Sequence, residues 1–141
     1  MVSPAARRQS ACMPLRHAPI SVFLADDSEM IRDRVAVMLR SSAMSVVGQA
    51  STPQDCIAGI LALHPDVVVL DIQLQGGSGL DVLRAVREAA PAIGVVVFTS
   101  NAHMAYRKRY LREGACSFLD KASESEQLVR AVESAAHQTV H

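Results

Sequence analysis

The chain has 141 residues, enough for one domain with a hydrophobic core and short for two. Half of the residues are hydrophobic, which favours a globular fold over a disordered chain, and 14 basic residues balance 14 acidic ones. A net charge of zero gives no electrostatic argument for binding nucleic acid or an anionic membrane, and no apolar run approaches the roughly 18 residues that cross a bilayer.

The N-terminal segment and the cysteines favour a cytoplasmic protein over a secreted one. Residues 1–19 are basic, contain no acidic side chain and lack a continuous apolar segment, so we interpret them as a flexible N-terminal extension and not as a secretory signal. The three cysteines are widely spaced and form no CxxC pair. This favours reduced thiols in the cytoplasm over a zinc site or a disulfide framework, and we expect Cys56 and Cys116 to be small hydrophobic filler.

From residue 20 onward, short apolar runs typical of strands alternate with segments of helical periodicity. Ser28 and Thr52 are expected to cap the first two helices, Ser123 and Glu126 fit a capping box on the last, and Gly114 is expected to end the fourth. The predicted strands are 20–25, 44–50, 66–71, 93–100 and 115–121, and the predicted helices are 28–42, 53–64, 79–91, 103–114 and 123–136.

This order predicts an α/β fold. Five strands alternating with five helices favour a five-stranded parallel sheet with helices on both faces, a (βα)5 flavodoxin-like three-layer sandwich. The apolar residues 67–70 do not alternate with polar ones, which indicates a strand buried on both faces. The basic run at residues 107–112 is interpreted as a solvated helix face and not as a nucleic-acid contact.

Polar side chains follow four of the predicted strands. Asp26 and Asp27 follow the first strand, and Asp71, Thr99 and Lys121 lie at the ends of the third, fourth and fifth strands. The carboxyl ends of parallel strands share one sheet edge, so these groups should converge. Converging carboxylates repel one another, which a hard cation such as Mg²⁺ would relieve, and a carboxylate can attack phosphorus to form an aspartyl phosphate.

The segments FLADDS, VVVLDIQLQGGSG, VVVFTS and FLDKA together resemble the receiver domain of bacterial two-component response regulators. The resemblance covers about residues 20–138, leaving 139–141 as a C-terminal tail, and four motifs in order at strand ends are a specific signal. It implies that Asp71 is the phosphoacceptor. It also implies that Mg²⁺ (or Mn²⁺) is bound by Asp26, Asp27, Asp71 and the backbone carbonyl of Gln73.

The same resemblance implies roles for residues around the phosphoacceptor. Thr99 looks like the switch hydroxyl, and Lys121 looks like the lysine that pairs with a phosphoryl oxygen. Phe118 occupies the position of the switch aromatic. Gln73 and Asn101 flank the pocket at positions where the family tunes dephosphorylation.

Two departures from the family pattern stand beside these matches. Gly79 matches the glycine at the start of the third helix, but Gln75 and Ala122 replace prolines that many receivers carry after the phosphoacceptor and after the lysine. The Lys-Ala-Ser ending looks more like the subgroup whose members carry a C-terminal helix-turn-helix.

The leading hypothesis is a phosphorylation-dependent signalling switch in the cytoplasm, with no enzyme activity beyond its own phosphoryl transfer and dephosphorylation. A sensor histidine kinase or a histidine phosphotransfer protein would phosphorylate Asp71. The helix 4–strand 5–helix 5 surface would then change to control a partner or self-association as a homodimer. We expect no direct nucleic-acid binding and no membrane association.

Two alternatives remain open. A haloacid-dehalogenase-type phosphohydrolase also forms an aspartyl phosphate, but its DxD motif is absent from Asp71-Ile72-Gln73 and no cap insertion is present. A receiver-like binding module that is never phosphorylated is disfavoured by the intact pocket residues and kept open by the missing prolines.

Overall fold

The computed structural model describes residues 18–138, so the predicted tail at 139–141 and nearly all of the predicted extension lie outside the described part. Five strands and five helices alternate along it. The strands are β1 (Ser21–Ala25), β2 (Ser45–Ala50), β3 (Val67–Leu70), β4 (Gly94–Thr99) and β5 (Ser117–Asp120). The helices are α1 (Glu29–Arg40), α2 (Pro53–Leu63), α3 (Gly79–Ala89), α4 (Met104–Arg112) and α5 (Leu128–Gln138).

The five strands form one parallel sheet in the order β2-β1-β3-β4-β5, which confirms the predicted fold class. From β1 the chain first adds β2 on one side of the sheet and then adds β3, β4 and β5 on the other side. The switch in strand order therefore lies between β1 and β3. Ala25, the last residue of β1, pairs with Leu70, the last residue of β3. The residues that follow these two strands are therefore neighbours at the carboxyl edge.

Both faces of the sheet are covered by helices. One hydrophobic cluster joins the sheet to α2, α3 and α4, and a second joins it to α1 and α5. Along the central strand the side chains alternate between the clusters, with Val68 and Leu70 in the first and Val67 and Val69 in the second. This arrangement explains the apolar run at 67–70, because each side chain is buried whichever face it occupies.

The predicted caps of the first two helices are confirmed. The Ser28 hydroxyl accepts a hydrogen bond from the Ile31 N–H at 3.2 Å, and Thr52 accepts one from the Asp55 N–H at 3.1 Å. Gly114 follows α4 with a φ of 111°, the positive range expected of a glycine that ends a helix.

The predicted start of the last helix is wrong. A 3₁₀ turn at Ser125–Gln127 precedes α5, which begins at Leu128, so Ser123 and Glu126 form no capping box there. Hydrogen bonds to β5 compete with the helix: the Asp120 N–H donates to the Glu124 carboxylate at 2.9 Å, and the Glu124 N–H donates to the Asp120 carbonyl at 2.8 Å. This segment therefore folds back on the end of β5 before the helix begins.

A short ribbon between β3 and α3 was not predicted. Gln73–Leu74 pair antiparallel with Gly77–Ser78, and Gly76 makes the turn with a φ of 77°. The ribbon buries Leu74 and leaves Ser78 to cap α3 by accepting from the Leu80 N–H at 3.0 Å.

Helix α4 is attached differently from the other helices. Its one buried residue is Tyr110, and the basic side chains of the run at 107–112 are exposed, as predicted for a solvated face. At its C-terminal end the Glu113 carboxylate pairs with Arg84 of α3 at 3.0 Å and with Arg109 at 3.1 Å. Within residues 18–138 no helix has the length and apolar character needed to cross a bilayer.

Candidate functional site

Asp71 follows the buried strand β3 and is itself only 5% exposed. Its N–H donates to the Ala25 carbonyl at 2.8 Å, and its carboxylate accepts from the Gln73 N–H at 3.3 Å. A Cβ on Gly79 would overlap the backbone carbonyl oxygen of Asp71, so the first turn of α3 approaches this residue as closely as only glycine allows. The backbone of Asp71 is thus fixed from both sides.

Asp26 and Asp27 follow β1 and meet Asp71 at the same edge. Asp26 is buried and Asp27 is exposed, and one carboxylate oxygen from each of the three residues lies within 4.8 Å of the others. Arg32 of α1 donates to the Asp26 backbone carbonyl at 2.6 Å. The predicted convergence of the carboxylates therefore occurs.

Lys121 lies between the two buried carboxylates. Its Nζ is 2.7 Å from Asp26 Oδ2 and 2.9 Å from Asp71 Oδ2. Burial raises the pKa of Asp26, and this effect exceeds the lowering by the Lys121 hydrogen bond. Burial alone would lower the pKa of Lys121, but the hydrogen bonds to Asp26 and Asp71 outweigh it and raise that pKa above its usual value.

The donor set of this site fits a hard divalent cation. Three carboxylates face a single ammonium, so negative charge remains uncompensated at the site. Carboxylate oxygens are the ligands that Mg²⁺ and Mn²⁺ prefer. Asp26, Asp27 and Asp71 can therefore supply oxygens to such an ion, while the role of the Gln73 carbonyl stays a prediction.

Thr99 and Asn101 complete the edge beyond β4. Thr99 is 1% exposed, and its hydroxyl oxygen accepts from the Asn101 N–H at 3.1 Å. The Lys121 N–H donates to the Thr99 carbonyl at 2.9 Å, which ties the ends of β4 and β5 together. Asn101, Gln73 and Asp27 all line a cleft beside the carboxylates.

Phe118 belongs to the hydrophobic cluster on the α4 side of the sheet. It is 1% exposed and packs against Tyr110 of α4, with ring centroids 6.1 Å apart. The Arg107 guanidinium lies 5.9 Å from the ring centroid and donates to the Phe118 carbonyl at 2.9 Å. The ring is therefore held inside the core by two residues of one helix.

Sequence reasoning missed Tyr110. Burial raises its pKa, while hydrogen bonds with the Ser78 hydroxyl and the Leu80 backbone act in the opposite direction. Tyr110 therefore connects α4 to the start of α3. The sequence did contain a signal, because Tyr106 and Tyr110 are spaced four residues apart in a basic segment. This spacing places the two aromatic side chains on one face of the helix.

Comparisons with known proteins agree with this geometry. The family model of the response regulator receiver domain matches residues 22–133. The response regulator GacA of Pseudomonas aeruginosa is 32% identical over 80% of this chain and 53% of its own length. The nitrate/nitrite response regulator NarL of Escherichia coli K12 is 33% identical over 84% of this chain and 55% of its own length. The chain thus spans about half the length of these curated relatives.

Solved structures show the same fold. The signal receiver domain of the response regulator NarL from Mycobacterium tuberculosis has a TM-score of 0.76 at 30% identity, covering 84% of this chain and 97% of that one. A two-component response regulator of the LuxR family from Aurantimonas has a TM-score of 0.80 at 25% identity, covering 85% of this chain and 86% of that one.

Proposed function

Because this chain belongs to the response regulator receiver domain family, we propose that it is a phosphorylation-dependent signalling switch with Asp71 as the phosphoacceptor. One observation carries the proposal: Lys121 bridges Asp26 and Asp71, with the Asp27 carboxylate beside them. A nucleophilic carboxylate, a cation for the phosphoryl oxygens and further oxygen ligands are the groups that phosphoryl transfer to aspartate requires. Residues 20–138 form the proposed receiver unit.

Asp71 is the proposed nucleophile because it is buried and held rigidly. The Gln73 N–H bonds to its Oδ1, and Lys121 bonds to its Oδ2. Phosphorylation removes the negative charge of the Asp71 carboxylate and brings in negatively charged phosphoryl oxygens. Lys121 can then pair with one of these oxygens. The Thr99 hydroxyl oxygen accepts a hydrogen bond from the Asn101 N–H, so the hydroxyl O–H remains available to donate to the phosphoryl group.

The proposed metal is Mg²⁺ or Mn²⁺, held by Asp26, Asp27, Asp71 and the backbone carbonyl of Gln73. When bound, such an ion neutralises charge on the oxygens of the transferred group. Asp27 is exposed, whereas Asp26 and Asp71 are buried, so a metal would enter from the Asp27 side.

The proposed phosphodonor is a sensor histidine kinase or a histidine phosphotransfer protein, and the proposed response is a change in the α4–β5–α5 surface. Thr99 and Phe118 would carry that change, and Gln73 and Asn101 would tune dephosphorylation. A second copy of the chain is a candidate partner for this surface. We place the reaction in the cytoplasm, where the free thiol of Cys56 would stay reduced.

Intact mass spectrometry after incubation with Mg²⁺ and acetyl phosphate tests the proposal. We expect wild type and the exposed control Asp81→Asn to gain one phosphoryl group, and Asp71→Asn to gain none. A gain in Asp71→Asn would place the phosphoacceptor elsewhere. No gain in wild type, together with no Mg²⁺ binding by calorimetry, would favour a receiver-like binding module that is not phosphorylated.

A further inference from the structure

A cleft of about 550 Å³ opens beside the carboxylate site, between the Gln73–Ser78 ribbon and α4. This volume lies within the roughly 300–1,000 Å³ of small-molecule sites. We call the polar lining residues beside the carboxylate site the polar end, and the apolar lining residues of α3 and α4 the apolar end. The polar end includes Asp27, Gln73 and Asn101, and the apolar end includes Leu80, Tyr106 and Tyr110.

The polar end adjoins the proposed phosphoacceptor. Asp27 belongs to the carboxylate cluster, and Gln73 is bonded through its N–H to the Asp71 carboxylate. Asn101 is bonded through its N–H to Thr99. A molecule whose phosphoryl group lies at Asp71 therefore has its remaining part beside the Gln73 and Asn101 side chains, whose amide N–H groups can donate to a carbonyl oxygen.

The apolar end suits a planar, apolar group. The Tyr106 side chain is 43% exposed, and the His103 ring meets it edge-on with centroids 6.4 Å apart and an interplanar angle of 80°. Tyr110 is 3% exposed and forms the deeper wall beside Leu80. Two aromatic rings and a leucine bind a flat ring better than they bind a methyl group, because aromatic pairs gain contact area and preferred geometry.

We propose that this cleft is a leaving-group subsite that favours phosphodonors with an aromatic acyl group over acetyl phosphate. The inference rests on the proposed phosphorylation of Asp71. An oxygen of the Asp71 carboxylate forms a bond to phosphorus, the bond between phosphorus and the acyl oxygen breaks, and its electron pair leaves with the aromatic carboxylate. The acyl phosphate of the donor is consumed and the acyl phosphate of Asp71 is formed, so no proton is transferred. Attacking and leaving oxygens are in line, and the leaving group departs on the side away from Asp71.

Charge on the cleft wall favours this leaving group. Arg109 lines the cleft, and its Nε bonds to Glu113 at 3.1 Å, which holds the guanidinium on the wall. Arg84 and Arg109 share the single carboxylate of Glu113, so this group of side chains keeps a net positive charge, which favours a carboxylate leaving group.

The test compares benzoyl phosphate with acetyl phosphate, each at subsaturating concentration with Mg²⁺, by the rate of phosphoryl gain in intact mass. The quantity measured is the ratio of the benzoyl rate constant to the acetyl rate constant in each variant, which cancels the intrinsic reactivity of the donors. We expect Tyr106→Ala to lower this ratio about fivefold, since apolar pockets discriminate by about this factor or more. Tyr106→Phe keeps the ring and should keep the ratio.

Met104→Ala is the matched control, because Met104 lies on the same helix, is 65% exposed and does not line the cleft. An equal ratio in wild type and Tyr106→Ala would overturn the subsite while acetyl labelling of Asp71 keeps the proposed function. The subsite would also be overturned if Met104→Ala lowered the ratio of the benzoyl to the acetyl rate constant as much as Tyr106→Ala does. If neither donor modifies wild type at Asp71, the proposed function and this inference both fail.

Discussion

Replacing Asp26 by asparagine tests the electrostatic account of the site. Asp26 is 6% exposed, and burial raises its pKa despite the hydrogen bond from Lys121, so the fold disfavours its charged form. We expect Asp26→Asn to raise the free energy of unfolding of the metal-free protein at pH 7 by about 1 to 2 kcal/mol, as replacements that relieve a strained functional site commonly do.

The magnitude follows from opposing contributions. At an effective dielectric constant of about 20, carboxylates within 4.8 Å repel by roughly 3.5 kcal/mol or more. An ammonium at 2.7 Å attracts by roughly 6 kcal/mol on the same scale. Removing the carboxylate from water costs several kcal/mol more, so repulsion and desolvation together exceed the attraction. In the variant, Lys121 remains paired with Asp71.

Urea unfolding in EDTA provides the measurement, with Asp33→Asn on the exposed face of α1 as the control. The pH dependence has a defined sign. Since the folded-state pKa of Asp26 lies above 3.8, its contribution to stability is present below that pH and is lost as the pH rises through the folded-state pKa. The advantage of asparagine should therefore be absent at low pH and complete at pH 7.

A decrease in the free energy of unfolding for Asp26→Asn at pH 7, with Asp33→Asn unchanged, would refute this reasoning. It would show that the ion pair with Lys121 outweighs repulsion and burial. The Asp26 carboxylate would then stabilise the metal-free protein.

Three further predictions follow from individual contacts. Lys121→Met leaves the buried carboxylates without a counter-charge and should lower the free energy of unfolding in EDTA by about 2 kcal/mol, while exposed Lys108→Met should not. Gly79→Ala forces a Cβ onto the Asp71 carbonyl and should cost about 2 kcal/mol and weaken Mg²⁺ binding in calorimetry; unchanged values would mean that the turn relaxes freely. Cys56 is 0% exposed and burial raises its pKa to about 12, so peptide mapping should show no iodoacetamide modification before unfolding; rapid native modification would contradict its burial.

The sheet was predictable because its signals are local and agree with one another. The unbroken apolar run at 67–70 requires burial on both faces, and the order of elements then requires a parallel sheet. The same logic brought Asp26, Asp71 and Lys121 to one edge, since each directly follows a strand. The roles of these residues in phosphoryl transfer stay proposals.

The features that could not be predicted depend on contacts between residues far apart in the sequence, or on hydrogen bonds that compete with a helix cap. The capping box at Ser123 failed because Glu124 bonds to the end of β5, a strand whose position the local pattern does not contain. The surroundings of Tyr110 include Ser78 of the ribbon and Leu80 of α3, which lie about 30 residues away in the sequence.

The attachment of α4 makes the molecule selectively sensitive to ionic strength. The Glu113 carboxylate, whose pKa is lowered to about 2 by Arg84 and Arg109, holds the end of the helix through surface ion pairs. At 1 M salt the screening length falls to about 3 Å, so such pairs weaken while apolar contacts do not. Helices α3 and α5 rest on buried apolar faces, whereas α4 buries Tyr110 alone. We therefore expect high salt to weaken the attachment of this helix before it affects the sheet beneath it.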